Sequence, residues 1–131
     1  NVTFIYISPE QLKLPRSIFD SLQKQGVTQH EYTTAEGLKE AFTISDVVYV
    51  TRIQKERFDD ETLYEKVRGL FKITPELMAT AKTKMCLMHP LPRVDEISTL
   101  VDSDPRAAYF RQMENGMYVR MALLAMVHGK V

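Results

Sequence analysis

Short apolar segments spaced along the chain constrain its fold more than any other feature. Residues 2–7 (VTFIYI) are rich in β-branched and aromatic side chains, and residues 47–50 (VVYV) and 85–88 (MCLM) form similar runs. A weaker run lies at residues 28–32. Runs of this length are typical of strands that are buried on both faces, as in a parallel sheet. The chain is therefore predicted to build a sheet whose parallel strands need crossover connections.

Helical patterns occupy the intervals between these runs. Pro15 suits the first turn of a helix, and Gly26 suits the position just after its end. Thr34 and Thr74 are placed to cap two further helices, the second of which is expected to end near residues 82–84. A long helix is expected from residue 113 to about 128. The alternation, without a repeat or a linker, predicts a single α/β domain. We expect a parallel sheet with helices on both faces, the Rossmann-like arrangement.

Composition and charge exclude several classes of function. The chain has 131 residues, with 17 basic and 17 acidic side chains and a formal net charge of zero. A neutral balance offers no general attraction for nucleic acid or for an anionic membrane, so neither is predicted as a partner. No run has the length of a membrane span, and no signal peptide is visible. The single cysteine, Cys86, is expected to be a buried, inert thiol, and a cytoplasmic location is predicted.

Ligands of open parallel sheets bind beyond the carboxyl ends of the strands, which singles out the segment after residue 50. Residues 51–57 (TRIQKER) contain three cations, one anion and one amide. Arg52 could grip a carboxylate with two parallel hydrogen bonds, and Gln54 could donate or accept beside it. Glu56 could pair with Arg52 and fix its rotamer. The alternative is a solvated, charged turn at the start of a helix.

The second such segment is residues 89–93 (HPLPR), which follow the run that ends at residue 88. Pro90 and Pro92 restrict the backbone on either side of Leu91 and carry no N–H group. The carbonyl groups can therefore remain free to face a ligand, and an ammonium group would suit them. A loop stiffened for stability is the alternative, and His89 alone is more often structural than catalytic. Together the two segments suit a small zwitterion with an extra carboxylate, an acidic amino acid.

Several ordered segments resemble the aspartate carbamoyltransferases. Residues 51–58 (TRIQKERF) resemble the aspartate-recognition segment of that family, and residues 88–97 (MHPLPRVDEI) resemble its second substrate loop. Residues 101–112 (VDSDPRAAYFRQ) and 114–125 (ENGMYVRMALLA) are most similar to the carbamoyltransferase segment of eukaryotic multifunctional pyrimidine-biosynthesis proteins. The match covers essentially the whole chain. It implies that residues 1–131 are the L-aspartate-binding domain, without the carbamoyl-phosphate domain.

The resemblance also implies roles for single residues in substrate binding. Arg52 and Gln54 would bind the carboxylates of L-aspartate. The carbonyl groups of Leu91 and Pro92 would lie beside the reacting amino group, with the Leu91–Pro92 peptide bond expected to be cis.

Neighbouring residues receive supporting roles by the same resemblance. Glu56 would hold Arg52 in place, while Lys55 and Arg57 would take part in supporting contacts or domain closure. Arg57 in particular would bridge to the other domain. Residues 57–73 would form a mobile loop, part of it helical.

The family reaction is the attack of the aspartate amine on the carbamoyl carbon of carbamoyl phosphate, giving N-carbamoyl-L-aspartate in de novo pyrimidine biosynthesis. It implies no metal and no organic cofactor, and catalysis would rest on positioning and charge stabilisation as domains close. The Ser-Thr-Arg-Thr phosphate loop and the Gly-Arg-Thr hinge segment are absent from this sequence. No complete catalytic set is therefore expected, and the chain alone should be inactive. The implied partners are L-aspartate, the carbamoyl-phosphate domain of the same full-length chain, and further copies in a homotrimer or larger assembly.

Three other functions fit some features of the sequence. Ornithine carbamoyltransferases share the fold, but their second loop resembles His-Cys-Leu-Pro where this chain has Pro90. Their first segment carries Ser-Met-Gly where this chain has Arg52 and Gln54. That pair suits a second carboxylate, and the positive charge of Arg52 would repel the side-chain ammonium of ornithine. A non-catalytic amino-acid-binding or interaction module on the same scaffold could keep both residues. A phosphorylation-receiver domain needs clustered acidic residues at its strand ends, whereas these ends are basic or proline-rich.

The last helix carries an apolar stripe at helical spacing, formed by Met117, Met121, Leu124 and Val127. Simple core packing would explain it. By resemblance, however, this helix crosses back to the missing domain. We therefore expect part of the stripe to be exposed in this chain and to favour association.

Overall fold

The computed structural model describes residues 2–53, 58 and 60–130. Strands and helices alternate along this part of the chain, except that two helices follow one another between the third and fourth strands; short 3-10 helices also lie at Glu10–Leu12 and Thr99–Val101. The elements in chain order are β1 (Thr3–Ile7), α1 (Arg16–Lys24), β2 (Thr28–Tyr32), α2 (Ala35–Ile44), β3 (Val47–Tyr49), α3 (Glu61–Arg68), α4 (Pro75–Thr80), β4 (Cys86–Met88) and α5 (Tyr109–Val127).

The strands pair in parallel, with a helix in the connection between partners. β1 pairs with β2 from Thr3 opposite Thr28, and β3 pairs with β4 from Val47 opposite Cys86. A parallel bridge between Leu87 and Ala107 extends the second pair. Within the described residues the ladder bonds divide into two pairs instead of one continuous ladder. Every pair is parallel, and the predicted α/β class is confirmed.

The predicted helix caps are present. The Thr34 hydroxyl oxygen accepts a hydrogen bond from the Gly37 N–H at 3.1 Å, and the Thr74 hydroxyl oxygen accepts one from the Leu77 N–H at 3.4 Å. Each bond satisfies a donor that the first helical turn leaves without a partner. Gly26, just beyond α1, has a φ of 76°, which a residue without Cβ adopts readily.

Two helix boundaries differ from expectation. α4 ends at Thr80, although the pattern predicted an end at residues 82–84. The Arg106 guanidinium donates to the carbonyl oxygens of Ala81 and Lys82, which gives this segment hydrogen bonds outside a helix. α5 begins at Tyr109, earlier than the predicted residue 113, because the chain turns directly from its bridge to β4 into the first helical turn.

The hydrophobic core lies between α2, α4 and β4. Its most completely buried apolar side chains include Phe42, Met78, Leu87 and Tyr109. Full burial of side chains of this size stabilises a fold by about 1.5–3 kcal/mol each. Leu87 faces this core, so its neighbour Cys86 points to the opposite side of the strand and is only partly buried. The prediction of a buried thiol was therefore wrong.

α5 extends away from that core. Its first residue, Tyr109, is buried, whereas apolar side chains farther along are exposed: Met113, Met117, Tyr118, Val119, Met121, Leu123, Leu124, Met126 and Val127. The predicted exposure of the last helix is confirmed. Among the helices of the described residues, none combines the length and the apolar character needed to cross a membrane.

Candidate functional site

A cleft of about 790 Å³ lies beyond the carboxyl ends of three strands. Its lining includes Ser8 after β1, residues 50–53 after β3 and residues 89–92 after β4, with further side chains from α3. Its volume falls within the usual range for small-ligand sites. Residues 51–53 of the first segment and residues 89–92 of the second therefore face one space, as the rule for parallel sheets predicts.

Arg52 supplies the unmatched charge of this cleft. It is exposed, and its guanidinium has neither a hydrogen bond nor an ion pair within the described part of the chain. The other charged lining side chains already have partners: Arg68 Nε lies 2.5 Å from Asp95 Oδ2, and Glu96 Oε1 is hydrogen-bonded to His89 beneath the turn. The cleft therefore offers a free cation to an anionic ligand.

The remaining predicted residues of this segment, Gln54, Lys55, Glu56 and Arg57, lie outside the described residues. Their placement, the pairing of Glu56 with Arg52 and the mobility of the loop stay predictions. Farther along, residues 61–68 are helical, in agreement with the predicted partial helix.

The proline turn forms the facing wall. The Leu91–Pro92 peptide bond is cis, as expected, and Leu91 has a φ of 48°. Leu91 and Pro92 line the same cleft as Arg52. Within the described residues, the carbonyl oxygens of Leu91 and Pro92 accept no hydrogen bond. These acceptors are thus available to an ammonium or amine group.

His89 supports this turn from beneath. Its side chain is buried, its Nδ1 accepts a hydrogen bond from the Leu91 N–H at 2.8 Å, and its Nε2 lies 2.7 Å from Glu96 Oε1. A ring nitrogen that accepts carries no proton, so this network assigns the neutral tautomer with the proton on Nε2. His89 is consequently a structural histidine, which is the more common role for a lone histidine of this kind.

Glu96 is held as a carboxylate. Burial raises the pKa of its side chain, but hydrogen bonds from its own N–H, the Val94 N–H, His89 and the Asp95 N–H together lower the pKa below its ordinary value. The Val94 and Asp95 bonds to Oε2 are both 3.0 Å long. Glu96 is therefore committed to holding the turn and is not a free base. Among the described residues, no group of His, Cys, Asp and Glu side chains could hold a metal ion.

The far side of the turn is anchored by a cluster that the sequence did not reveal. The Arg93 guanidinium forks onto the Asp102 carboxylate and lies 5.4 Å from the centre of the Tyr109 ring. The Tyr109 hydroxyl donates to the same carboxylate. The ion pair with Arg93 lowers the pKa of Asp102, and burial, together with the bond to Asp102, raises the pKa of Tyr109 to about 12. Bidentate pairs of this kind fix geometry as well as charge.

Gln112 is a second residue without a sequence signal. Its Oε1 accepts the His89 backbone N–H at 3.0 Å, and its Nε2 donates to the Tyr49 hydroxyl at 3.2 Å. An amide that both accepts and donates can join two strand ends. Its position within a segment that resembles known proteins was visible, but its partners were not.

The chain is similar to known proteins along nearly its whole length. Residues 1–127 match the family described as "Aspartate/ornithine carbamoyltransferase, Asp/Orn binding domain". The chain is 55% identical over 129 residues to "Multifunctional protein CAD" of Squalus acanthias, which covers 98% of this chain and 6% of that protein.

Solved structures show the same fold. The catalytic subunit of M. jannaschii aspartate transcarbamoylase superposes with a TM-score of 0.88 at 43% identity, covering 100% of this chain and 42% of that one. Aspartate transcarbamoylase from Trypanosoma cruzi, in complex with N-(phosphonacetyl)-L-aspartic acid, gives a TM-score of 0.81 at 44% identity, covering 93% and 39%. The chain thus spans well under half the length of these relatives. With the family match over residues 1–127 and this identity to its relatives, the chain belongs to the aspartate/ornithine carbamoyltransferase family.

Proposed function

We propose that residues 1–131 are the L-aspartate-binding domain of an aspartate carbamoyltransferase, and that a carbamoyl-phosphate domain in the full-length protein completes the enzyme. One observation carries the proposal: the unpaired guanidinium of Arg52 shares a cleft with the free carbonyl groups of Leu91 and Pro92. A cation opposite fixed acceptors matches a ligand with carboxylates at one end and an amine at the other.

Arg52 and Gln54 would bind the two carboxylates of L-aspartate. The Leu91 and Pro92 carbonyl groups would orient the amino group, with its lone pair directed away from the turn. Glu56 would hold Arg52, and Lys55 and Arg57 would take part in closure against the other domain. The His89–Glu96 pair and the Arg93–Asp102 pair would keep the turn in place before the ligand arrives, so that little ordering is needed on binding.

In the proposed reaction the aspartate nitrogen forms a bond to the carbamoyl carbon, the bond from that carbon to the phosphate oxygen breaks, and the amine loses a proton. The residues of this chain hold one reactant and position its nitrogen, which is where much of the rate enhancement of a two-substrate transfer originates. Groups that bind the phosphate would come from the other domain. The T. cruzi relative was solved with a ligand that contains an L-aspartic acid moiety, which supports L-aspartate as the proposed reactant.

L-aspartate is favoured over L-ornithine because Arg52 lines the cleft with no carboxylate paired to it among the described residues, whereas Asp95 and Glu96 are engaged by Arg68 and by the turn. A second ammonium group on the ligand would meet Arg52 at close range, at an energetic cost. A non-catalytic amino-acid-binding module remains the second candidate, since it would present the same residues without taking part in catalysis.

Calorimetry followed by complementation separates these functions. The chain alone should bind L-aspartate weakly and form no N-carbamoyl-L-aspartate. After mixing with a carbamoyl-phosphate domain from an aspartate carbamoyltransferase, carbamoyl phosphate and L-aspartate should yield that product and phosphate. L-ornithine is the matched control ligand and should give neither heat nor product. Steady product formation by the pure chain would contradict the division of labour, and aspartate binding with no activity on mixing would favour the binding module.

The assembly and compartment are part of the proposal. A homotrimer or larger assembly, formed mainly through the other domain, and a cytoplasmic location follow from the family resemblance.

A further inference from the structure

We propose that Gln112 is a positioning residue that couples the two strand ends of the aspartate site, holding residues 50–53, which include Arg52, in register with the Leu91–Pro92 turn. This inference rests on the proposed function, because its effect is on the binding of aspartate.

The first half of the coupling replaces a missing ladder bond. Leu87 donates to the Arg106 carbonyl oxygen at 2.9 Å, and Ala108 donates to the Leu87 carbonyl oxygen at 2.8 Å, as in a parallel ladder. The next bond of that ladder would run from the His89 N–H to the Ala108 carbonyl oxygen. That oxygen instead accepts the Gln112 N–H at 2.8 Å, since α5 has begun.

The side chain of Gln112 supplies the substitute. Its Oε1 accepts the His89 N–H at 3.0 Å. His89 is 1% exposed, so its N–H would otherwise lose water without gaining a partner. The first turn of α5 thereby extends the pairing of β4 by one residue, up to the start of the proline turn.

The second half of the coupling reaches the neighbouring strand. Gln112 Nε2 donates to the Tyr49 hydroxyl at 3.2 Å. Tyr49 is the last residue of β3 and lies just before residues 50–53. The side-chain amide of Gln112 therefore contacts the ends of both β3 and β4. The residues that line the cleft follow directly after these two strand ends.

The coupling continues into the turn through His89. The backbone of His89 is held by Gln112, and its Nδ1 in turn accepts the Leu91 N–H at 2.8 Å. A shift of His89 would move that acceptor and, with it, Leu91. Small losses of alignment of this kind weaken ligand binding, because part of the binding energy must then order the site.

Steady-state kinetics of the full-length enzyme test the inference. Gln112→Met keeps the length of the side chain and removes both hydrogen bonds. It should raise KM for L-aspartate about tenfold, the scale of one lost hydrogen bond, with a smaller fall in kcat and an unchanged KM for carbamoyl phosphate. Gln112→Glu keeps the acceptor for His89, and the Tyr49 hydroxyl can donate to it, so KM should return to within about threefold of wild type. Gln23→Met, at an exposed helical position on α1, is the matched control and should change nothing.

Amide hydrogen exchange of His89, followed by NMR, is a readout independent of activity. Exchange should be faster in Gln112→Met and restored in Gln112→Glu; Gln112→Ala is the second variant if the methionine variant does not fold. An unchanged KM for L-aspartate in a folded variant, or an equal rise in both KM values, would overturn the role of Gln112 and leave the proposed function standing. A wild-type enzyme that neither binds L-aspartate nor carbamoylates it would overturn both.

Discussion

At the scale of single residues, the site is defined by one charge that has no partner. Arg68, Arg93 and Arg106 each pair with an aspartate, whereas Arg52 has no partner within the described part of the chain. Of the two arginines that line the described cleft, Arg68 has an acidic partner and Arg52 has none. A cation left free beside fixed acceptor carbonyls is therefore best explained by a ligand that brings its own negative charge.

Arg52→Lys tests that explanation with the charge conserved. The affinity for L-aspartate should fall by about tenfold or more, because an ammonium group cannot reproduce the planar fork that grips a carboxylate. The melting temperature should not change, since Arg52 is exposed. Arg16→Lys, at an exposed arginine on α1, is the control. Aspartate affinity that is equal in wild type and Arg52→Lys, measured by calorimetry, would remove Arg52 from the site.

Tyr109 gives a prediction on pH. Burial and the bond to Asp102 raise the pKa of its hydroxyl from 10.0 to about 12. In the unfolded chain the phenol ionises near the ordinary value, so the unfolded state is favoured increasingly as pH rises from 10 to 12. The free energy of unfolding should fall across that window, as measured by urea denaturation.

The phenylalanine variant isolates this effect. Tyr109→Phe should be less stable at neutral pH, because the Asp102 carboxylate loses a donor, and it should lose less stability above pH 10. Tyr118→Phe, at an exposed tyrosine on α5, should keep the wild-type alkaline decline. An identical decline in Tyr109→Phe and wild type would show that Tyr109 is not the group responsible.

At the scale of secondary structure elements, the local patterns predicted which segments are helices and which are strands. Thr34, Thr74 and Gly26 could be recognised because capping depends on residues within one helical turn. The early start of α5 could not, because it depends on the bridge between Leu87 and Ala107, which are far apart in the sequence. For the same reason the sequence did not reveal how closely α2 approaches β2.

Gly37 lies where α2 packs closely against Tyr32, the last residue of β2. A Cβ atom at Gly37 would lie 2.6 Å from the Cβ of Tyr32. Because a Cβ atom is attached directly to the backbone, this clash could be relieved only by moving α2 or β2. Gly37→Ala should therefore destabilise the chain by about 1–3 kcal/mol in urea denaturation, despite the higher helix propensity of alanine.

Gly69→Ala is the matched control. Nothing lies within 4 Å of a Cβ built at Gly69, and its φ is −86°, which alanine adopts freely. This variant should be neutral or more stable by about 0.4–1 kcal/mol. A Gly37→Ala variant that matches wild type would mean that α2 and β2 are farther apart than described.

At the scale of the whole molecule, buried and exposed apolar side chains lie in different parts of the fold. The core lies between α2, α4 and β4, while Val47, Tyr49 and most of α5 are exposed. The chain covers 42% of the M. jannaschii catalytic subunit, so more than half of that relative lies outside the part that matches this chain. An exposed apolar helix of this length should make the separate chain associate.

A charge-adding double variant tests this. Met121→Glu with Leu124→Glu should reduce self-association, measured by analytical ultracentrifugation, and reduce the binding of an apolar fluorescent dye. Stability should hardly change, because both side chains are outside the core. Gln11→Glu with Gln23→Glu adds the same charge at exposed positions elsewhere and should leave association intact. Equal association of both variants and wild type would assign it to another surface.

The amino-acid sequence by itself predicted the α/β class and the two strand-end segments whose described residues line the cleft, because strand runs, helix caps and turn residues are recognised over a few neighbouring positions. Only the tertiary structure decided which side chains meet. Gln112 lies 23 residues from His89 and 63 from Tyr49, and Asp102 could have paired with cations other than Arg93. Such contacts depend on how the whole chain packs, and local patterns of polarity carry no information about them.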